Sequence, residues 1–151
     1  MSLRLRSVPR RHRIIPLVPV LATLLAAGCG TATAPGSADI ALTYADESGR
    51  QQELSIRADA TVCTDDITPD RRRLATADGT VAALVDPLGE AQVRVRIDDE
   101  LTFQSTTAGR GDRDGLRLED VEGIVVRIPV SGIQKKISEG ARITGTLDCP
   151  A

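Results

Sequence analysis

From Asp39 onward, apolar residues recur at every second position. Ile40, Leu42 and Tyr44 alternate with Ala41, Thr43 and Ala45, and Asp46-Glu47-Ser48-Gly49 supplies a turn. Leu54 and Ile56 alternate with Ser55 and Arg57, and Thr61–Thr64 continues in extended style. Val93, Val95 and Ile97 face one way while Arg94 and Arg96 face the other, the pattern of a half-buried strand. Asp98-Asp99 then turns into Leu101-Thr102-Phe103, which predicts a hairpin. Thr80–Asp86 is compatible with a strand or a helical turn or two, closed by Pro87-Leu88-Gly89. Residues 65–73 and 107–115 read as connecting segments. Leu116 and Leu118 lead to Gly123 and the run Ile124–Val130, where Pro129 favours an edge or a strand end. One helical turn fits around Ile133–Ile137, and a last strand carries Ile143, Thr144 and Leu147 toward Cys149. Short strands at this spacing predict a mainly β domain, an antiparallel sandwich or rolled sheet with at most one or two short helical turns.

Before Asp39 the pattern is different. Residues 1–13 carry five arginines and no acid, and residues 14–27 are uncharged and apolar. That run is short of the roughly 20 residues a membrane span needs, and Pro16 and Pro19 interrupt it as a helix. Small residues then precede Cys29, so the segment reads as an export signal rather than as fold. A cysteine at the first mature position is what a bacterial lipoprotein requires, because its thiol receives a diacylglycerol. Leu25-Ala26-Ala27-Gly28-Cys29 is similar to a lipobox, with Ala26 where leucine is usual. Arg10-Arg11 is not continued as a twin-arginine motif, so general secretion is the expected route. The chain thus divides into a lipoprotein signal peptide over 1–28, a flexible tether over 29–38 (small and turn-forming residues) and a β domain over 39–151. Cys29 is the expected lipidation site. The expected location is the extracytoplasmic face of the cell membrane, held there by the N-terminal lipid.

Charge and composition narrow the chemistry. The whole chain carries −2, and loss of residues 1–28 removes five positive charges and no negative one, leaving −7. An acidic domain argues against nucleic acid as a partner and against a polybasic grip on anionic lipid. The single histidine, His12, lies in the leader. A mature chain without it has no Ser-His-Asp or Cys-His arrangement and lacks the commonest ligand of catalytic zinc. The expectation is a protein that is not an enzyme and uses no metal or cofactor. Cys63 and Cys149 form an even pair in an oxidising compartment, spaced to bridge an early strand to the last one. Such a loop would stabilise the fold by about 4–5 kcal/mol. A pair of reactive thiols is the competing reading, without a Cys-x-x-Cys motif to support it. With one Tyr, one Phe and no Trp, the core must be aliphatic and a stacking platform for bases or sugars is not expected.

Several short motifs invite functional readings. Arg110-Gly111-Asp112 matches an integrin-binding tripeptide, but a chain this rich in Arg, Gly and Asp yields one by chance, and a solvated loop is the plainer reading. Asp112-Arg113-Asp114-Gly115 is part of a calcium-loop pattern whose register fails: Arg110 stands in the first ligand position and Val121 in the last. Asp98-Asp99-Glu100 reads as a polar hairpin turn. Glu119, Asp120 and Glu122 offer clustered carboxylates, but on one short segment rather than across a cleft. Arg71-Arg72-Arg73 has the forked donors to dock a phosphate or acidic glycan, against the plainer reading of an exposed run.

The lipobox, the small-residue tether, Ala60-Thr61-Val62-Cys63-Thr64, Val81–Asp86 and the closing Ile143-Thr144-Gly145-Thr146-Leu147-Asp148-Cys149 together resemble the mycobacterial 19 kDa lipoprotein antigen family (LpqH-type). The resemblance runs loosely over most of the mature chain. It implies an immunogenic surface lipoprotein of actinobacteria without catalytic activity, acylated at Cys29 and bridged between Cys63 and Cys149. The expected function is a non-enzymatic, lipid-anchored envelope protein that displays a small β domain for binding host or envelope partners. The alternative is a carrier of lipid or another apolar ligand in an aliphatic cavity.

Overall fold

The computed structural model describes residues 34–65, 70–130 and 132–151. Among them are ten strands: β1 Ala38–Ala45, β2 Gln51–Ala58, β3 Thr61–Asp65, β4 Arg72–Thr76, β5 Val81–Val85, β6 Glu90–Arg96, β7 Leu101–Ser105, β8 Gly109–Gly111, β9 Gly115–Arg127 and β10 Lys135–Asp148. All belong to one antiparallel sheet in the order β2-β1-β10-β9-β7-β6-β5-β4-β3, with β8 bridging β6 and β9. No helix occurs among the described residues. Of the turn allowed around Ile133–Ile137, Lys135–Ile137 is instead the start of β10, and Ile133 and Gln134 precede it without regular structure.

The connection from β2 to β3 determines the shape. Laid flat, a path of nine strands measures about 38 Å across at ~4.8 Å per interval. Yet its two ends are joined by Asp59 and Ala60 alone, which reach about 10 Å. The sheet must therefore roll far enough to bring the end of β2 to the start of β3. Because every pair in the path is antiparallel, β2 and β3 run the same way, and the chain passes from one end of the sheet to the other without reversing.

Bulges supply the bending in the two longest strands. In the β9–β10 pair the register shifts between Lys136 and Ser138, between Glu139 and Ala141, and between Ile143 and Gly145. At the last of these the extra residue lies on β9, where Asp120 adopts φ 55°. Leu118 and Val121, three apart, would face opposite sides of a regular strand; the bulge turns both inward, where each is buried. Ser138 and Ala141 are reconciled on β10 in the same way.

The inner face holds the core. Ile40, Leu42, Leu74, Val81, Val95, Phe103, Val125, Ile143 and Leu147 have no accessible area. The one phenylalanine lies against β9, where a Cβ at Gly123 would overlap its ring. The missing side chain of Gly123 thus makes the seat of the one aromatic side chain among the buried core residues described. β6 alternates between buried Ala91, Val93 and Val95 and exposed Arg94 and Arg96, as its sequence pattern predicts.

The hairpin corners share one device. Asp46, Asp86, Asp98 and Asp112 each accept hydrogen bonds through Oδ1 from two backbone N–H groups two to four residues ahead. In Asp46-Glu47-Ser48-Gly49 and Asp86-Pro87-Leu88-Gly89 the closing glycine takes φ 79° and 80°, a conformation that other residues adopt at a cost.

Candidate functional site

The two ends of the domain chain meet where the sheet closes. Ser37 and Asp148 exchange backbone hydrogen bonds of 3.2 and 2.7 Å, and Ala151 N–H reaches the Ala34 carbonyl at 3.4 Å. The Thr61 hydroxyl, at the head of β3, donates to the Asp148 carbonyl at 2.5 Å. Cys149 N–H donates to the Asp114 carbonyl at 2.8 Å. Backbone pairing therefore includes Ala34 and Ser37, within the segment that the sequence reads as tether and upstream of the expected domain start near Asp39.

At this junction Cys63 of β3 and Cys149 form a disulfide, with Cα atoms 5.7 Å apart and a sequence separation of 86. The Cα separation lies within the range a disulfide spans without backbone movement. Both half-cystines pack partly buried against the core. β3 has a ladder on one side only, to β4, so the bridge and the Thr61 hydrogen bond are what tie it to the chain termini. Cys29 lies outside the described residues, as do His12 and all of residues 1–28.

The tempting motifs are dispersed or already occupied. Arg110 and Gly111 belong to β8, a strand where a loop is expected, with Arg110 paired to Glu90 and Arg117 in the ladder. The Asp112 carboxylate holds its own turn through the Asp114 and Gly115 N–H groups. The tripeptide thus does not present a free arginine and a free carboxylate from a loop tip, and the apparent calcium loop is one more aspartate-capped corner. Among the described residues, no group of three or more His, Cys, Asp or Glu is placed to hold a metal.

Arg71-Arg72-Arg73 enters β4 and is split by strand alternation. Arg72 is half-buried; its Nε lies 3.3 Å from Asp65 without hydrogen-bond alignment, and its Nη1 donates to the Asp112 carbonyl at 3.2 Å. Arg71 and Arg73 are exposed. The three do not form one forked anion clamp. Glu119, Asp120 and Glu122 are exposed on β9, and Arg142 of β10 bridges the last two, reaching Glu122 Oε1 at 2.9 Å. Arg142 holds both in exposed ion pairs on one strand, whereas glycoside hydrolysis needs its two carboxylates on opposite sides of a cleft.

The Asp46 and Asp78 carboxyls are held well below the usual carboxylate range, each at about 2. For Asp46 the Ser48 hydroxyl is the largest cause; for Asp78 it is the Thr76 hydroxyl, followed by that of Thr80. Tyr44, on β1, is pushed up first by burial and then by Asp98 and Asp46. These shifts belong to turn corners and to one end of the core, not to a cleft.

A cleft of about 780 Å³ opens at the disulfide end of the sheet, lined by Asp65, Asp70, Arg71, Arg72, Asp86, Leu88, Asp112 and Arg113 among others. Another, of about 310 Å³, lies over the outer face beside Arg71, Glu90, Gln92, Ser105 and Thr107. Both have charges of both signs and open to solvent. The eleven core residues without accessible area, Ala91 and Ala141 among them, line no void large enough for water, since a void of that size would leave area on its lining. Compared with family models, curated proteins and solved structures, the chain matches none.

Proposed function

We propose that the protein is a non-enzymatic envelope lipoprotein, held to the extracytoplasmic face of the cell membrane by acyl chains on Cys29, that displays its rolled β domain for binding. The observation that carries this reading is the sorting of the three cysteines. Cys63 and Cys149 are partners within the domain, a use of cysteine that belongs to oxidising compartments. Cys29 is left over, and it follows an apolar run with a basic start, as an acylated cysteine does. Two or more acyl chains would anchor firmly where one would not. The resemblance to the 19 kDa lipoprotein antigen family supports the same reading through the same three cysteines.

The geometry bears on the alternative, carriage of an apolar ligand. The closely packed aliphatic interior around Phe103 supports a displayed surface rather than a lipid-filled hollow. Labelling with a radioactive or clickable palmitate separates the readings. The wild-type chain is expected to take up label and to partition with membranes, whereas Cys29→Ser takes up none and is recovered soluble or unprocessed. Equal label in both would overturn the assignment of Cys29, and a stoichiometric extractable lipid in the Cys29→Ser domain would favour the carrier.

A further inference from the structure

Among the described residues, β2 is a sheet edge with one partner. It pairs with β1 along its whole length, in an unbroken register from Ala38↔Ala58 to Ala45↔Gln51. On its other side it has no ladder partner, and no other described residue hydrogen-bonds to its backbone. Native sheets blunt such an edge with proline, charged side chains (lysine above all), a bulge or an inward charge. Gln51–Ala58 has no proline, lysine, bulge or inward charge; its two charges, Glu53 and Arg57, lie on the exposed outer face and are of opposite sign, so they can pair across an edge as well as guard it. β3, at the other end of the path, is shorter, and the bridge and the Thr61 contact tie it to the chain ends.

The sequence of β2 is self-complementary about Ser55. Glu53 lies two residues before it and Arg57 two after, both exposed on the face that carries Ser55, while Leu54 and Ile56 occupy the inner face. Two copies laid antiparallel across a two-fold axis at Ser55 place Glu53 of each opposite Arg57 of the other, Ser55 opposite Ser55, and Leu54 opposite Ile56. Other registers lose this match. A one-residue slip sets inner positions against outer ones. A shift of the axis toward Ile56 brings Glu53 against Asp59, and a shift to Leu54 sets it against Ser55. Glu53 has no ion-pair partner among the described residues, while Arg57 shares a solvent-exposed contact of 3.6 Å with Asp39. Both charges are therefore open to a second chain. We propose that β2 is the docking edge for a second copy of this protein, continuing the sheet across a two-fold axis at Ser55 with Glu53 and Arg57 setting the register.

Oxidative cross-linking of the full chain in isolated membranes tests this. Ser55→Cys is expected to give a linked product of twice the chain mass, because opposed residues at the axis stand roughly 5 Å apart at Cβ. Gln51→Cys, on the same face, would lie about 26 Å from its symmetry mate and should remain unlinked. Adding Glu53→Arg to Ser55→Cys is expected to lower the linked fraction roughly tenfold by setting like charges opposite one another. The swap Glu53→Arg with Arg57→Glu is expected to restore it. Equal linking at positions 51 and 55, a product of any other mass, indifference to Glu53→Arg or failure of the swap to restore linking would each overturn the proposal. Glu53 is exposed, and unchanged melting of the Glu53→Arg chain separates lost pairing from lost folding.

Discussion

Replacing Cys63 and Cys149 together by alanine removes the one covalent tie between β3 and the end of the chain. With the partners separated by 86 positions, the chain-entropy relation gives a loss of about 4.6 kcal/mol at 25 °C. That is a large part of the roughly 5–15 kcal/mol by which domains are usually stable. The location adds a local effect. β3 has a ladder to β4 alone, and without the bridge the Thr61–Asp148 hydrogen bond is what ties it to the termini among the described residues. Urea denaturation at neutral pH reads the global effect. At a slope of about 1.5 kcal/mol per molar, the midpoint should fall by about 3 M. Amide exchange reads the local one: β3 should lose protection before β6 and β9, which have partners on both sides. A loss below about 1.5 kcal/mol, or protection in β3 as strong as in β6, would show that the rolled sheet closes without the bridge.

Three further outcomes follow from the packing and the turns. Phe103→Ala should cost about 3–5 kcal/mol by opening a cavity over Gly123, while Phe103→Leu should cost about 1–2 kcal/mol, both read by chemical denaturation. Asp46 and Asp78 ionise at about 2 in the folded chain, below the ~3.9 of an unfolded aspartate, so their contribution is complete above pH 4 and is lost as pH falls through 2. Melting temperature should decline across that window, and Asp46→Asn with Asp78→Asn should flatten the decline; an identical decline in the double variant would exclude these two groups. Asp120→Val places a β-branched residue at φ 55° and should destabilise by about 1–2 kcal/mol, whereas Asp120→Asn should be tolerated on the same assay.

Where strands alternate, the chain could be read directly. β1 and β6 follow a period of two without interruption, and the Asp98 hairpin between β6 and β7 stands where its turn residues place it. β10 was harder to see because the bulges flanking Ser138 break the period, so Ser138 and Ala141 face inward three residues apart. That broken alternation leaves Ile133–Ile137 compatible with a helical turn on sequence alone. β4 was hidden by its own sequence: Leu74, Ala75 and Thr76 are all buried and follow an arginine run that suggests a surface. β8, with glycine at both ends, offers no side-chain pattern at all.

The cysteine pair was legible from number and compartment, and its two members do stand together. The closing contacts around it were not, because Thr61, Ser37 and Asp148 act through backbone groups that any residue carries. The aspartate at the start of hairpin corners is a recurring signal, visible as Asp-x-x-Gly at residues 46, 86 and 112. Read together, those three repeats explain the apparent calcium loop as turn chemistry.

Intact-mass spectrometry of the chain extracted from membranes bears most directly on the anchored, bridged domain proposed here. The expected species begins at Cys29, carries a diacylglycerol and loses two hydrogens' mass for the Cys63–Cys149 bond. A chain that keeps residues 1–28, bears no lipid and has both thiols free would contradict it.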